Sequence, residues 1–406
     1  MTLKKISNDP NKHTTTKSTS RILSDTSQTD SNQSKLIKAE VDPSSADYRE
    51  IYTKLFGPTP AESMATDSHA YLDTEDSPEP TVKTITLFDH DLAKELSERI
   101  SIGREEKKFY SSLRPEHSQK PIIEPSDAVF ERIQQLFFDY PNAIDLLKYV
   151  HDFLCLRNIS RNKAIYMSPI LIAGDPGIGK TAVIRAICKA LGVDYGFYDF
   201  SSASSSWGLC GQDSGWNGSH IGIVLKKLLY GACANPIVHL DELDKGMVNH
   251  NLDPYLALHT LLERPQMIGY QDAYAQNLPV NASHVMFLAT ANDISAIPRP
   301  IQSRFRILEI STPSPSQMRR IVANMYSSKL HEEGVEGVFA IQLAERVIDF
   351  LVHKTPREVG LILSRAIAAA SGRKPVPGGQ YEIQLQDLSD CLPQEISQQR
   401  KVGFVW

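Results

Sequence analysis

The chain has no C-x-x-C pair: its five cysteines, Cys155, Cys188, Cys210, Cys233 and Cys391, are odd in number and scattered. A disulfide framework and a structural zinc site are both excluded on that count, and a reducing, cytoplasmic setting is expected. No apolar run approaches the roughly 20 residues that cross a bilayer, and residues 1–11 are polar, without the apolar core of a secretory signal. Nor is positive charge in excess. The 43 Lys and Arg stand against 48 Asp and Glu, a net charge of −5, so no global basic field draws the chain to nucleic acid or an anionic membrane. Aromatic residues are absent before Tyr48, and the first forty residues are mostly Ser, Thr, Asn, Gln, Lys and Asp. Such a stretch cannot bury enough apolar surface to offset the entropy of ordering it. Residues 1–85 are therefore expected to be a disordered arm, either a plain flexible tail or a partner-recruiting one. Within it Tyr48, Ile51, Leu55 and Phe56 have a helical spacing that could dock on something.

What is present suits a folded protein of two or three domains: 406 residues, 41% hydrophobic and 22% charged. Order is expected to begin between Ile85 and Pro125. Phe130, Ile133 and Phe137 then form one apolar stripe on a helix that Ser126 or Asp127 can cap. A second helix is expected after Asp139, with Pro141 in its first turn and Leu146, Val150 and Leu154 on one face. The pattern then changes to short apolar or β-rich runs at 170–173, 194–200, 236–240, 284–289 and 305–310. Helical stripes at 182–191 and 221–230 lie between them. Strands alternating with helices predict an α/β domain with a mainly parallel sheet. Past Pro313 and Pro315 only helical stripes follow, at 318–330, 341–353 and 356–370. The expected division is an arm (1–85), a helical lead-in with an α/β domain (86–313), a small all-α lid (314–393) and a tail (394–406).

Gly174-Asp175-Pro176-Gly177-Ile178-Gly179-Lys180-Thr181 matches G-x-x-x-x-G-K-[ST] and stands between an expected strand and an expected helix. Glycines let successive backbone N–H groups turn inward toward phosphate oxygens, and the helix N-terminus adds partial positive charge. Lys180 can supply a point charge to the β- and γ-phosphates and Thr181 a hydroxyl ligand for Mg²⁺. The pattern implies a nucleoside triphosphate site. The run 236–242 reads as a buried strand that ends in Asp241 and Glu242 at the edge where open α/β sheets bind ligands. There Asp241 can hold Mg²⁺, and Glu242 can orient and deprotonate a water. His239 in the same strand reads as a hydrogen-bonded core histidine.

Together with Phe287-Leu-Ala-Thr-Ala-Asn292 and Ile301-Gln-Ser-Arg-Phe305, these motifs resemble the AAA+ ATPases. Within them the chain is most similar to the ATPase module of Lon proteases, over roughly residues 140–370. The resemblance implies a P-loop parallel sheet sandwiched by helices, followed by a helical lid. It implies ATP and Mg²⁺ as cofactors and hydrolysis between subunits of a ring, hexameric by family likeness. Asn292 would be the sensor-1 amide and Arg304 the arginine finger serving a neighbour's nucleotide, with Arg306 and Arg299 as nearby competitors. Arg357 is the sensor-2 candidate, in the first turn of a lid helix opened by the Thr355-Pro-Arg-Glu358 capping box.

Gly211-Gln-Asp-Ser-Gly-Trp216-Asn-Gly218 stands where Lon-like modules carry a substrate-gripping pore loop. Trp216 either grips an extended polypeptide or packs against its own domain; Trp207 reads as structural. The peptidase domain that follows in Lon proteases is not expected here, since the sequence stops at Trp406. The apolar end 401–406 is expected to tuck into its own domain or dock on a partner. The expected activity is ATP hydrolysis that remodels or unfolds a polypeptide substrate, directly or through an adaptor, with no membrane partner. A DNA-directed motor is the rival, disfavoured because 211–218 holds no Lys or Arg. An ATP-switched scaffold is another.

Overall fold

The computed structural model describes residues 83–203, 205–246, 253–373 and 379–389. Nearly all of the expected arm, including the Tyr48–Phe56 stretch, and the whole C-terminal tail lie outside the described residues.

The described chain opens with a lead-in that the sequence only located. Strand β1 (Thr84–Thr86) pairs antiparallel with β2 (Gln119–Pro121), and α1 (His90–Glu98), α2 (Arg104–Ser112) and the single turn α3 (Pro115–Ser118) run between them. Helix α4 (Asp127–Asp139) buries Phe130, Ile133 and Phe137 as their spacing predicts, although its N-cap residue Ser126 makes no side-chain capping bond. Helix α5 (Ile144–Ile159) buries Leu146, Val150 and Leu154 but starts later than expected. Pro141 lies in the turn before it. That turn is held from outside: Asn142 Nδ2 donates to Ile178 O and Ser311 O, at 3.3 and 3.2 Å, and Pro141 O accepts from Gln317.

Five strands form one parallel sheet: β3 (Ile170–Ala173), β4 (Tyr195–Asp199), β5 (Ile237–Asp241), β6 (Met286–Ala291) and β7 (Arg306–Glu309), in the spatial order β4-β5-β6-β3-β7. The central strands β3 and β6 are buried at every position, as strands covered on both faces must be. The edge strands β4 and β7 are not. The connecting helices are α6 (Lys180–Leu191), α7 (Trp207–Cys210), α8 (Ile223–Tyr230), α9 (Leu258–Leu261) and α10 (Arg299–Gln302). Leu225 and Leu228 of α8 share a core with Val238, Leu240, Phe287 and Ala289 of the sheet and with Leu96 and Tyr110 of the lead-in. On the other face α6 lays Arg185 over the rings of Tyr195 and Phe197. Helix α8 starts at Ile223, slightly later than the run 221–230 suggests, because Gly222 is still extended and hydrogen-bonded to Asp272.

Beyond β7 come α11 (Pro315–Glu332), α12 (Glu345–Leu351), α13 (Pro356–Ser371) and α14 (Leu385–Ser389). Val322, Tyr326, Leu351, Val359 and Leu363 give these helices a core of their own. Helix α12 is shorter than the expected 341–353. The residues before it are drawn off: Phe339 bridges to Tyr381, and Ala340 accepts from Tyr326 while donating to Tyr381 O. Asn324 on α11 donates to Asp139, and the Arg320 guanidinium lies 4.9 Å from the Phe138 ring, which seats these helices on α4. Among the described residues no helix is long and apolar enough to cross a membrane.

Asn235, fully buried at the start of β5, holds the lower end of the sheet. Its Oδ1 accepts from Ile123 N, and its Nδ2 donates to Ile123 O and Ile165 O, all at 3.0 Å. Asn235→Leu would leave Ile123 N–H and Ile165 O unpaired, each worth about 1–3 kcal/mol when buried, while Ile123 O keeps its bond from Ile165 N–H. We expect a loss of roughly 3 kcal/mol or more in a denaturant titration. A change below about 0.5 kcal/mol would mean that water replaces these bonds.

Candidate functional site

The sequence places a glycine-rich loop after β3, and the structure gives it the geometry of a cradle. Gly174, Gly177 and Gly179 have φ of 150°, 81° and 104°. A side chain at Gly174 would put its Cβ 2.4 Å from Ile310 O, so the approach of the loop to β7 needs glycine there. Gly179 caps α6 without a side-chain bond, which leaves the first-turn N–H groups open to an anion. Lys180 is buried; its Nζ donates to Gly174 O, Asp175 O and Asn292 Oδ1 at 2.7–2.8 Å. Burial pushes its ammonium below the ordinary lysine value, against the pull of Asp244, Asp175, Asp241 and Glu242. Lys180 and Asn292, 112 residues apart, thus meet directly.

Asp241 ends β5 beside them. Its Oδ1 accepts from Thr290 Oγ1 at 2.5 Å and from Thr181 Oγ1 at 3.1 Å, and His239 Nε2 faces it at 3.4 Å. Burial alone would raise this carboxyl; the contacts from His239, Thr290 and Thr181 outweigh it and hold it at about 2. Glu242 has φ 51°, making it the one non-glycine residue with positive φ among the described residues. Its N–H donates to Thr290 Oγ1 at 3.0 Å, which sustains a conformation that L-residues avoid. Buried Asp244 accepts from the N–H groups of Asn292 and Asp293 and so fixes the end of β6.

These groups open into one cavity of about 790 Å³ between the upper edge of the sheet and the C-terminal helices. Gly177, Lys180, Thr181, Asp241, Glu242 and Asn292 line one side; Tyr140, Ile321, Met325 and Arg357 line the rest. Arg357 sits in the first turn of α13, where Thr355 and Glu358 form the expected capping box, and its N–H donates to Gly177 O at 3.2 Å. The cavity suits a nucleotide with a divalent cation: it has open helix N–H groups, a desolvated ammonium and an apolar flank. Among the described residues no three His, Cys, Asp or Glu side chains cluster to hold a metal unaided. Mg²⁺ could be held there by Thr181 and Asp241 together with phosphate oxygens and water, the set that this cation takes.

Arg304 does not line this cavity. Its Nη1 donates to Pro300 O and its Nε lies 3.1 Å from Glu263. Of its competitors, Arg306 lies over the Tyr149 ring, and Arg299 is exposed at the start of α10.

The segment 211–220 is a closed loop with an exposed tip. Gln212 N–H donates to His220 O, and Trp216 is 67% exposed, so it does not pack into its own domain. Trp207, read as structural, is 41% exposed as well. The base of the loop is anchored. Buried Asp272 accepts from Gly222 N and Tyr270 Oη, and Ala273 N–H donates to Cys210 O. Buried Glu106 of α2 accepts from Tyr110, Asn277 and Ser214. Burial lifts the Asp272 carboxyl to about 6.

Sequence reading missed Thr290, Asp244 and part of His239. Thr290 carried a signal, as a lone hydroxyl in a buried apolar strand must find a partner. His239 is the core histidine expected, with no exposed surface and its Nδ1 bonded to Tyr195, yet it also faces Asp241.

Residues 170–312 match the profile of the ATPase family associated with various cellular activities (AAA). The chain is similar to Lon protease of Lachnoclostridium phytofermentans, 28% identical over 57% of this chain and 30% of that one. It is similar also to Lon protease of Helicobacter pylori, 29% identical over 46% and 22%, and to the peroxisomal Lon protease homolog 2 of Spinacia oleracea, 26% over 56% and 25%. The chain thus spans less than a third of the length of these relatives. A solved structure, the closed state of Hsp104 with ATPγS and FITC casein, overlaps 61% of this chain and 48% of that one, at TM-score 0.47 and 14% identity. The parallel sheet, the glycine loop and the acid pair thus lie in the stretch, residues 170–312, that is similar to the AAA family, and that stretch lies within a chain similar over about half its length to Lon proteases.

Proposed function

We propose that this chain hydrolyses ATP with Mg²⁺ at the interfaces of a ring of its own copies, hexameric by family likeness, and uses the cycle to remodel or unfold polypeptides in the cytoplasm. The observation that carries the reading is the meeting of Lys180, Asp241, Glu242 and Asn292 in one cavity. The functional division that goes with it is the arm 1–85, the ATPase portion 86–313, the lid 314–393 and the tail 394–406. Bound there, ATP with Mg²⁺ supplies a transferable phosphoryl group whose charge the cation partly neutralises. Lys180 exchanges its bonds to Gly174 O and Asp175 O for phosphate oxygens, at small cost because it is already desolvated. Thr181 and Asp241 would hold the cation. Glu242, aimed by Thr290, takes the proton of the attacking water, and Asn292 orients that water while holding Lys180. Arg357 serves the nucleotide of its own subunit from the lid.

Arg304 serves the neighbouring subunit. Its position outside the cavity of its own chain supports that reading, as does its seating on a surface-facing pair with Glu263. Trp216, exposed on an anchored loop, supplies a sequence-tolerant grip on an extended chain.

In an ATPase assay Arg304→Ala should keep nucleotide binding and lose about 1,000-fold or more in turnover, the lower end of what an arginine finger contributes. Mixing it with Glu242→Gln should restore part of the rate, because neighbouring subunits then complete one intact site. No recovery in mixed assemblies would rule out a shared site. An unfolded model protein should stimulate the wild-type rate, and Trp216→Ala should lose that stimulation; equal stimulation in both would remove the grip from Trp216.

A further inference from the structure

Strand geometry puts an ordered chain of side chains behind Asp241. On β4 and β5, Phe197 lies directly across from His239, and Asp199 from Asp241. Residues two apart share a face, so Tyr195, Phe197, His239 and Asp241 all project toward α6. There Arg185, exposed on α6, donates from Nε to Tyr195 Oη at 3.4 Å. Tyr195 Oη lies 2.8 Å from His239 Nδ1, and His239 Nε2 faces Asp241 Oδ1 at 3.4 Å. Phe197 meets the imidazole edge-on, with ring centroids 5.6 Å apart, and holds it in its plane.

The donors fix the direction of each link. A guanidinium has no acceptor, so Tyr195 Oη accepts from Arg185 and keeps its own O–H to give. That O–H goes to His239 Nδ1, which leaves the ring proton on Nε2. The opposite tautomer would aim a lone pair at a carboxylate. His239 Nε2 is completely buried and makes no full hydrogen bond to any described residue. It is a donor within 3.4 Å of one oxygen of the acid, off the line of a full hydrogen bond.

We propose that Arg185, Tyr195 and His239 position Asp241: they fix the imidazole so that its Nε2–H holds Oδ1, leaving the carboxylate oriented to take Mg²⁺. Groups that orient a ligating carboxylate from behind tune its metal affinity, by about 10–100-fold when they are removed. The inference rests on the reading that Asp241 holds Mg²⁺ beside ATP. None of these three residues lines the cavity. They act only through Asp241.

The test is the Mg²⁺ concentration that gives half-maximal tightening of a fluorescent, non-hydrolysable ATP analogue, measured at equilibrium. His239→Leu should raise that midpoint about tenfold while leaving binding without Mg²⁺ unchanged. His239→Gln should return it to within about threefold of wild type, since its amide N–H can stand in for Nε2–H. His239→Asn, which reaches Tyr195 but not Asp241, should resemble His239→Leu. Tyr195→Phe, at the half-buried sheet edge, should raise the midpoint about threefold; it carries the test if a melting curve shows that His239→Leu does not fold. Wild-type midpoints throughout, or equal behaviour of the Gln and Asn variants, would reduce the chain to core packing and overturn the proposal. A wild-type protein whose affinity for the analogue ignores Mg²⁺ would instead overturn the metal role of Asp241, and this inference with it.

Discussion

One oxygen, Asp241 Oδ1, collects contacts from Thr181 at the start of α6, Thr290 on β6 and His239 on its own strand. A half-buried carboxylate loses more hydration than a single hydrogen bond returns, so an ionised acid at this depth needs several donors at once. Because those donors sit on separate elements, the requirement is also a constraint on the fold. Shifting β5 against β6 by one residue would turn Thr290 to the opposite face and leave both Asp241 and the strained Glu242 N–H without it. The register of the sheet and the ionisation of the acid are therefore secured together. Asp244 does the same from the next turn, where its carboxylate ties the backbone of Asn292 and Asp293 to the end of β5.

How much of this was legible in the sequence follows from how local each signal is. The glycine loop is a contiguous pattern whose backbone requirement, positive φ at Gly174, Gly177 and Gly179, is written in residue types. The buried strands β3, β5 and β6 announce themselves as apolar runs, and the pair Asp241–Glu242 breaks such a run at its end. The capping box at Thr355 is local in the same way, and it formed as read. What could not be read depends on which strands become neighbours. Thr290 is an ordinary threonine until the order β5-β6-β3 sets it beside Asp241. Glu106 is an ordinary helix acid until α2 lies against the loop at Ser214. The lead-in strands, three residues each and partly exposed, carry no periodicity at all. His239 lies between these cases. Its share of a face with Asp241 follows from strand periodicity alone, but its second partner, Tyr195, needed the parallel pairing of β4 with β5.

The glycine loop is self-bonded. Lys180 holds two loop carbonyls and Asn292, while Asp175 accepts from Thr312 and Gly177 O accepts from Arg357 N–H of the C-terminal helices. An anion entering the cradle must therefore compete for the lysine, and whatever moves Gly177 also moves the first turn of α13. The cavity wall and the phosphate loop share a hydrogen bond, so closure of the helices over a ligand and rearrangement of the loop cannot be independent events.

The exposed loop is built on the opposite principle, with a free tip on an unyielding base. Trp216 is open to solvent, whereas at the base a Cβ on Gly222 would come within 2.2 Å of Leu209 O and one on Gly211 within 1.9 Å of Asp272 Oδ1. Such packing leaves no slack next to α8. Helix α8 is followed by the segment 231–236, which is held by Asp194 and carries the buried Asn235 clamp, and then by β5, which ends at Asp241. The buried carboxylates Asp272 and Glu106 explain why the base holds. Asp272, fixed by Tyr270 and Tyr274 beside it, accepts from Gly222; Glu106, fixed by Tyr110 and Asn277, accepts from Ser214; and Ala273 N–H donates to Cys210 O, so three separate ties hold the base of the loop.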